Sequence, residues 1–174
     1  MKRLFCFLLC GILLLGLFAC AAQKEDFINP ISFYYLRVQL PGQLHHGAVD
    51  SVISPEVREG KGIIKDIKML LDYYMAGPLS DNYASPFPSG TTLIDWHMEG
   101  KTLCVVLSDQ AATLSGVDLT LACACMTKTF LGLRDLDAVR FQAETLSLDG
   151  KPYITMDGKS LILLDDSMTT TEPD

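Results

Sequence analysis

From Leu4 to Phe18 the chain is apolar, broken only by Gly11 and Gly16; Lys2 and Arg3 precede this run, and the small residue Ala19 and then Cys20 come after it. A positive start, an apolar stretch of about 15 residues and a small residue at its end are the parts of an export signal. A membrane-spanning helix needs about 20 apolar residues, and Ala21, Ala22 and Gln23 supply no basic stop-transfer group. A permanent transmembrane anchor is the weaker reading. The fold must therefore be built from the residues beyond Cys20, in an extracytoplasmic setting.

Leu17-Phe18-Ala19-Cys20 has the Leu, Ala and Cys of a bacterial lipobox at its first, third and fourth positions. Residues 1–19 are read as a lipoprotein signal peptide and residues 20–28 as a lipidated Cys20 with a short tether. Residues 29–166 are read as one domain and residues 167–174 as a disordered acidic tail. Acyl chains on Cys20 would contribute about 0.8 kcal/mol per buried CH₂, enough to hold the protein on a membrane without crossing it. The expected location is the cell membrane, lipid-anchored on the extracytoplasmic face, with partners that lie close to it.

Removing Lys2 and Arg3 with the leader moves the formal charge from −7 to −9, twelve basic against 21 acidic residues. That balance argues against nucleic acid and against adhesion to anionic lipid by charge. About 150 residues remain, enough for one domain with a real core. Besides Cys20 they keep Cys104, Cys123 and Cys125, an odd set. Cys123 and Cys125 are too close along a helix to share a face. The spacing of His45, His46 and His97 does not match a zinc cluster, and buried apolar thiols are the expectation. No cofactor and no metal is expected.

Ile31 to Val38 is rich in aromatic and branched residues and reads as a strand broken by Pro41-Gly42, ahead of a loop from Gln43 to Asp50 that holds His45-His46. Val52 to Arg58 reads as a short strand that Pro55 pushes towards an edge. Ile63, Ile67, Leu70, Leu71 and Tyr74 recur at helical spacing, with Lys65, Asp66, Lys68 and Asp72 opposite, until Gly77-Pro78 stops the helix. After a linker, Thr92 to Glu99 alternates, with Ile94, Trp96 and Met98 expected inward and Asp95, His97 and Glu99 outward. It forms a hairpin with Leu103–Leu107, which is apolar on both faces and so expected to be central.

A second helix is expected over Val117–Leu131 with Leu119, Ala122, Cys123, Met126 and Phe130 as core and Thr120, Thr127 and Lys128 largely outside it. A strand from Val139 to Leu148, the turn Asp149-Gly150, the short run Tyr153-Ile-Thr, a turn at Asp157-Gly158 and the stretch Leu161–Leu164 complete the chain. The order implies an α+β fold, a single domain with a mostly antiparallel sheet and two helices packed on one face.

From about Phe33 to Asp166 the chain resembles the GerMN domain of sporulation and germination proteins and other bacterial envelope lipoproteins. The matching positions are Phe33-Tyr34-Tyr35, Pro55 to Arg58, Leu71 to Met75 with Ala76-Gly77-Pro78, Pro88 to Thr91, Val106-Leu107-Ser108, Val139 to Phe141 and Asp149-Gly150. That family is similar to the ring-building folds of secretion and sporulation channels. The resemblance implies a non-enzymatic assembly module and brings no catalytic residues. Its fold-defining positions here are Tyr34, Tyr35, Arg58, Gly77, Pro78, Pro88, Gly90, Thr91, Leu107, Ser108, Asp149 and Gly150.

Two other function classes compete with an assembly module. Ser108 with Asp109 and His97 would suit a hydrolase, but Ser108 lacks a Gly-x-Ser-x-Gly elbow, and serine before aspartate at a strand end is commonly turn chemistry. Asp95 and Glu99 flank His97 and would hold at most a weak cation; a solvated sheet face explains them as well. A ligand-binding lipoprotein would take a small ligand or a cell-wall glycan or peptide on an exposed groove, with Tyr73, Tyr83 and Trp96 as aromatic candidates, although Trp96 is expected in the core. The leading expectation is a protein interface, whether with an envelope protein or with other copies of the chain. It would be carried by the edge strand near Phe33–Val38 or by the polar helix faces.

Overall fold

The computed structural model describes residues 29–38, 52–60 and 65–162. The signal peptide, Cys20 and the tether, the loop holding His45 and His46, Ile63, and the chain from Leu163 through the acidic tail lie outside the described residues. The elements in chain order are β1 (Pro30–Arg37), β2 (Ile53–Glu59), α1 (Ile67–Met75), β3 (Tyr83–Ala84), β4 (Leu93–Glu99) and β5 (Thr102–Leu107). A 3₁₀ turn (Asp109–Thr113) comes next, then α2 (Gly116–Leu133), β6 (Ala138–Ala143), β7 (Ile154–Asp157) and α3 (Gly158–Ile162). The architecture is α+β with mostly antiparallel pairing, as expected, and the strands divide into two sheets, ordered β2-β1-β3 and β4-β5-β6-β7.

The first sheet is anchored by β1, whose Ile31, Phe33 and Tyr35 are fully buried on one face while β2 pairs antiparallel along it from Pro30↔Glu59 to Leu36↔Ile53. Pro55 sits on the outer strand β2, where a missing N–H costs no ladder bond. In the second sheet β5 is interior, antiparallel to β4 and parallel to β6. Parallel neighbours need a long crossover, and the chain supplies it as the 3₁₀ turn and α2.

Helix α1 starts where the Asp66 side chain accepts from the N–H of Lys68 (2.8 Å) and of Met69 (3.3 Å), capping two otherwise orphan donors. It buries Leu70, Leu71 and Tyr74, the stripe expected from spacing. It ends at Gly77, whose φ of +85° is a conformation that side chains resist and glycine adopts freely.

Helix α2 is apolar almost all round because it is covered from two directions. It packs on β1 of the first sheet and on β6, β7 and α3 of the second, so every residue from Ala122 to Thr127 is buried. This corrects the expectation for Thr127, which a single-stripe reading leaves outside: it is fully buried, and its hydroxyl has no partner among the described residues. The same enclosure buries Cys123 and Cys125 on opposite sides of the helix as free thiols, and Cys104 is free and buried too.

The aromatic centre of the core is Tyr74, stacked on Tyr35 at 5.1 Å between ring centroids and edge-on to Phe130 at 6.1 Å. The strand expected over Val139–Leu148 is shorter: β6 ends at Ala143. Leu148 instead exchanges backbone bonds with Lys151 across Asp149-Gly150, both at positive φ, the geometry of a tight two-residue hairpin turn.

Candidate functional site

Two charged residues of β2, Glu56 and Arg58, lie two positions apart on the inner face of the first sheet and are both more than nine-tenths buried. Their guanidinium and carboxylate form an ion pair, with Nε donating to Glu56 Oε2 at 2.6 Å. Arg58 Nη2 also donates to the carbonyl of Gly77 at 2.7 Å and to Tyr35 Oη at 3.3 Å, and Nη1 donates to the carbonyl of Tyr73 at 3.4 Å. The guanidinium lies 4.9 Å from the centroid of Phe33. Glu56 completes the network by accepting from the N–H groups of Leu79 (3.0 Å) and Ser80 (2.8 Å). Arg58 therefore satisfies the carbonyls that the end of α1 leaves open, and Glu56 holds the chain that leaves it. Burial pushes the Tyr35 phenol up to about 12.

This network joins Tyr35, Glu56, Arg58 and Gly77, which are scattered along the chain. Beside it, Gly77, Pro88, Gly90 and Thr91 line a shared cleft of about 460 Å³, together with Tyr74 and Phe87. Thr91 Oγ1 is buried there without a partner among the described residues. Gly90 adopts φ +86°, which fixes the turn into β4.

Ser108, at the end of β5, is committed to the hairpin. Its Oγ accepts from the N–H of Thr92 at 3.0 Å, and its own N–H donates to the Thr92 carbonyl at 2.9 Å. Asp109 accepts from the N–H groups of Thr145 and Leu146 at 2.8 and 3.0 Å, and bonds to Thr145 hold its carboxyl below the usual range. His97 stands opposite Cys104, four residues before Ser108, or about 13 Å away at strand rise. The structure does not bring Ser108 and His97 together.

What it does bring to His97 is Cys104. On the outer face of the second sheet His97 Nε2 lies 3.2 Å from Glu99 Oε1, and Arg140 Nη1 of β6 donates to Glu99 Oε2 at 2.6 Å. Ligand atoms of His97, Glu99 and Cys104 all lie within 4.8 Å of one another. Glu99 is held low chiefly by its bonds to His97 and Arg140, while burial and then the Glu99 charge push the Cys104 thiol up. Asp95 is not part of this group; its carboxylate accepts from the N–H of Trp96. Cross-strand register, which the sequence does not state, is what adds Cys104.

The expectation that Phe33–Val38 is an edge strand is corrected. β1 is no edge: β2 covers one side, and on the other Leu36 and Arg37 pair with β3 while the Tyr34 N–H donates to Thr129 Oγ1 of α2 at 2.8 Å. The second sheet ends instead on β4, whose outer edge has no strand partner among the described residues. There Ile94 is 45 % and Met98 37 % exposed, against the inward placement expected, and Trp96 is only partly buried against the core. An end strand has a strand partner on one side only, here with α1 also close to it, and a bulge between Leu93 and Asp95 turns its start. Of the aromatic candidates, Tyr73 is exposed, and the Tyr83 hydroxyl is used by the Pro55 carbonyl at 2.9 Å.

A solved structure at 2.5 Å resolution, a Clostridium perfringens protein assigned provisionally as a lipoprotein, is similar at 15 % identity and a TM-score of 0.47, over 78 % of this chain and 91 % of its own. No curated protein matches significantly. The family model described as Germane, sporulation and spore germination, matches residues 38–153, from the end of β1 to the start of β7. The chain belongs to the Germane family of sporulation and spore germination.

Proposed function

We propose that this protein is a non-catalytic assembly module of the cell envelope in sporulation or germination, tethered to the extracytoplasmic face of the membrane by lipid on Cys20, and that it binds a protein partner through β4. The observation that supports this most is the end strand itself. Its outer edge, unpaired among the described residues, carries the half-exposed Ile94 and Met98 beside Trp96, on a domain whose buried charges Glu56 and Arg58 are spent on its own fold. Unpaired edges recruit further strands, and apolar side chains beside them give the contact specificity. Membership of a sporulation and germination family supports the setting, and the lipobox supports the tether.

A second reading, a small-ligand or cell-wall glycan or peptide binder, is favoured by the cleft at Gly77 and Pro88–Thr91 with its unpartnered Thr91 hydroxyl. The hydrolase reading is opposed by the engagement of Ser108 with Thr92. Full-length protein in detergent, assayed on cell-wall fragments and on small esters, should give no turnover, and Ser108→Ala should change nothing. Hydrolysis lost in Ser108→Ala would overturn the non-catalytic reading.

A further inference from the structure

We infer that His97, Glu99 and Cys104 form a surface site for one borderline-soft divalent cation of the zinc type. The hairpin register makes the site: His97 and Cys104 are directly opposite on β4 and β5, and Glu99 lies two residues on, on the same face. Opposite residues in an antiparallel pair hold their Cβ atoms about 5 Å apart. Here their donor atoms and a Glu99 oxygen fall within 4.8 Å of one another. A cation drawing the three donors in would need only side-chain movement on the two half-exposed rim residues, His97 and Glu99 (50 % and 49 % exposed side chains).

The donor set selects the metal. Thiolate, imidazole and carboxylate together suit zinc-like ions and are a poor match for calcium or magnesium, which prefer oxygen alone. Three protein ligands leave a fourth position to water, the pattern of an open site. One thiolate and one carboxylate supply two negative charges to a divalent ion, and Arg140 stays paired with the second Glu99 oxygen. Arg140 already plays the supporting part that such sites use, since it holds Glu99 Oε2 at 2.6 Å and leaves Oε1 turned to His97. Binding releases the thiol proton of Cys104 to solvent, with no redox change.

The test is titration of the reduced full-length chain in detergent with cadmium and with cobalt alone. The expected result is a sulfur-to-metal charge-transfer band saturating at one equivalent, abolished in Cys104→Ser and at least about tenfold weaker in apparent affinity in His97→Ala. Cys104→Ser is checked for folding by the fluorescence of Trp96, the single tryptophan. If that variant fails to fold, half-exposed His97→Ala decides the question by itself. No band at stoichiometric metal, or a band unchanged in either folded variant, overturns the site. Because the readout is spectroscopic, either outcome leaves the β4 interface untouched.

Discussion

Replacing Arg58 by Met removes the guanidinium but keeps an apolar stem of similar length. The geometry sets three consequences. Glu56 stays buried with its opposite charge gone, the Gly77 carbonyl loses its 2.7 Å donor, and Tyr35 loses a donor to its hydroxyl. Breaking a buried pair from one side costs about 3–5 kcal/mol, and an orphaned buried carbonyl about 1–3 kcal/mol. The two N–H groups that still stabilise Glu56, from Leu79 and Ser80, soften the first figure, so a total of about 4 kcal/mol is expected. Against a domain stability of about 5–15 kcal/mol this is a large share. It should lower the melting temperature by roughly 10–15 °C.

The control is the pair Glu56→Leu with Arg58→Met. An apolar replacement of both charges is often close to neutral, and the N–H groups of Leu79 and Ser80 then lack their acceptor, so at least half of the loss should return. Urea unfolding followed by Trp96 fluorescence measures both. A loss under about 1 kcal/mol in Arg58→Met, or a double variant no more stable than the single one, would refute the view that this pair fastens α1 to the sheet.

Other outcomes are expected of the same chain. Gly60→Ala should destabilise by about 1–3 kcal/mol in the same assay, because a Cβ there would crowd the Ile31 side chain and sit 2.5 Å from the backbone oxygen of Asn29; wild-type stability would contradict the close approach. Tyr35, Cys123 and Cys125 are each pushed up to about 12, mainly by burial, whereas the unfolded chain ionises such groups near about 10 and 8.5. The folded state thus holds protons that the unfolded state has lost, so stability should be complete below about pH 8.5 and fall as pH rises towards about 12. Cys123→Ala with Cys125→Ala should flatten the lower part of that fall, and a slope unchanged by their removal would contradict it.

Much of the fold could be read in the sequence because its signals are local. The stripe Leu70, Leu71 and Tyr74, the stop at Gly77-Pro78, the buried strand at Leu103–Leu107 and the turn at Asp149-Gly150 each arise from a few neighbouring residues. What failed to show depends on distant pairing. β1 looks like a free strand until Tyr83–Ala84 and Thr129 arrive at its far side. The row Ile94, Trp96 and Met98 has an inward pattern, but at the end of the sheet Ile94 and Met98 stay exposed while Trp96 is only partly buried against the core. Thr127 reads as a solvent residue only if the helix has one covered face. At the sites the same rule holds: the hydrogen bond between Arg58 and Gly77 spans 19 residues and has no local signal, and Cys104 joined His97 and Glu99 only through register.

A photoreactive residue placed at Met98 of the lipid-bearing full chain, in its own membrane, tests the proposed β4 interface most directly, with the same residue at Leu146, which is also exposed, as the comparison. The proposal requires a discrete cross-linked product from Met98, to an envelope protein or a second copy, and none of that product from Leu146. Equal labelling from both positions, or no product from Met98, would contradict it.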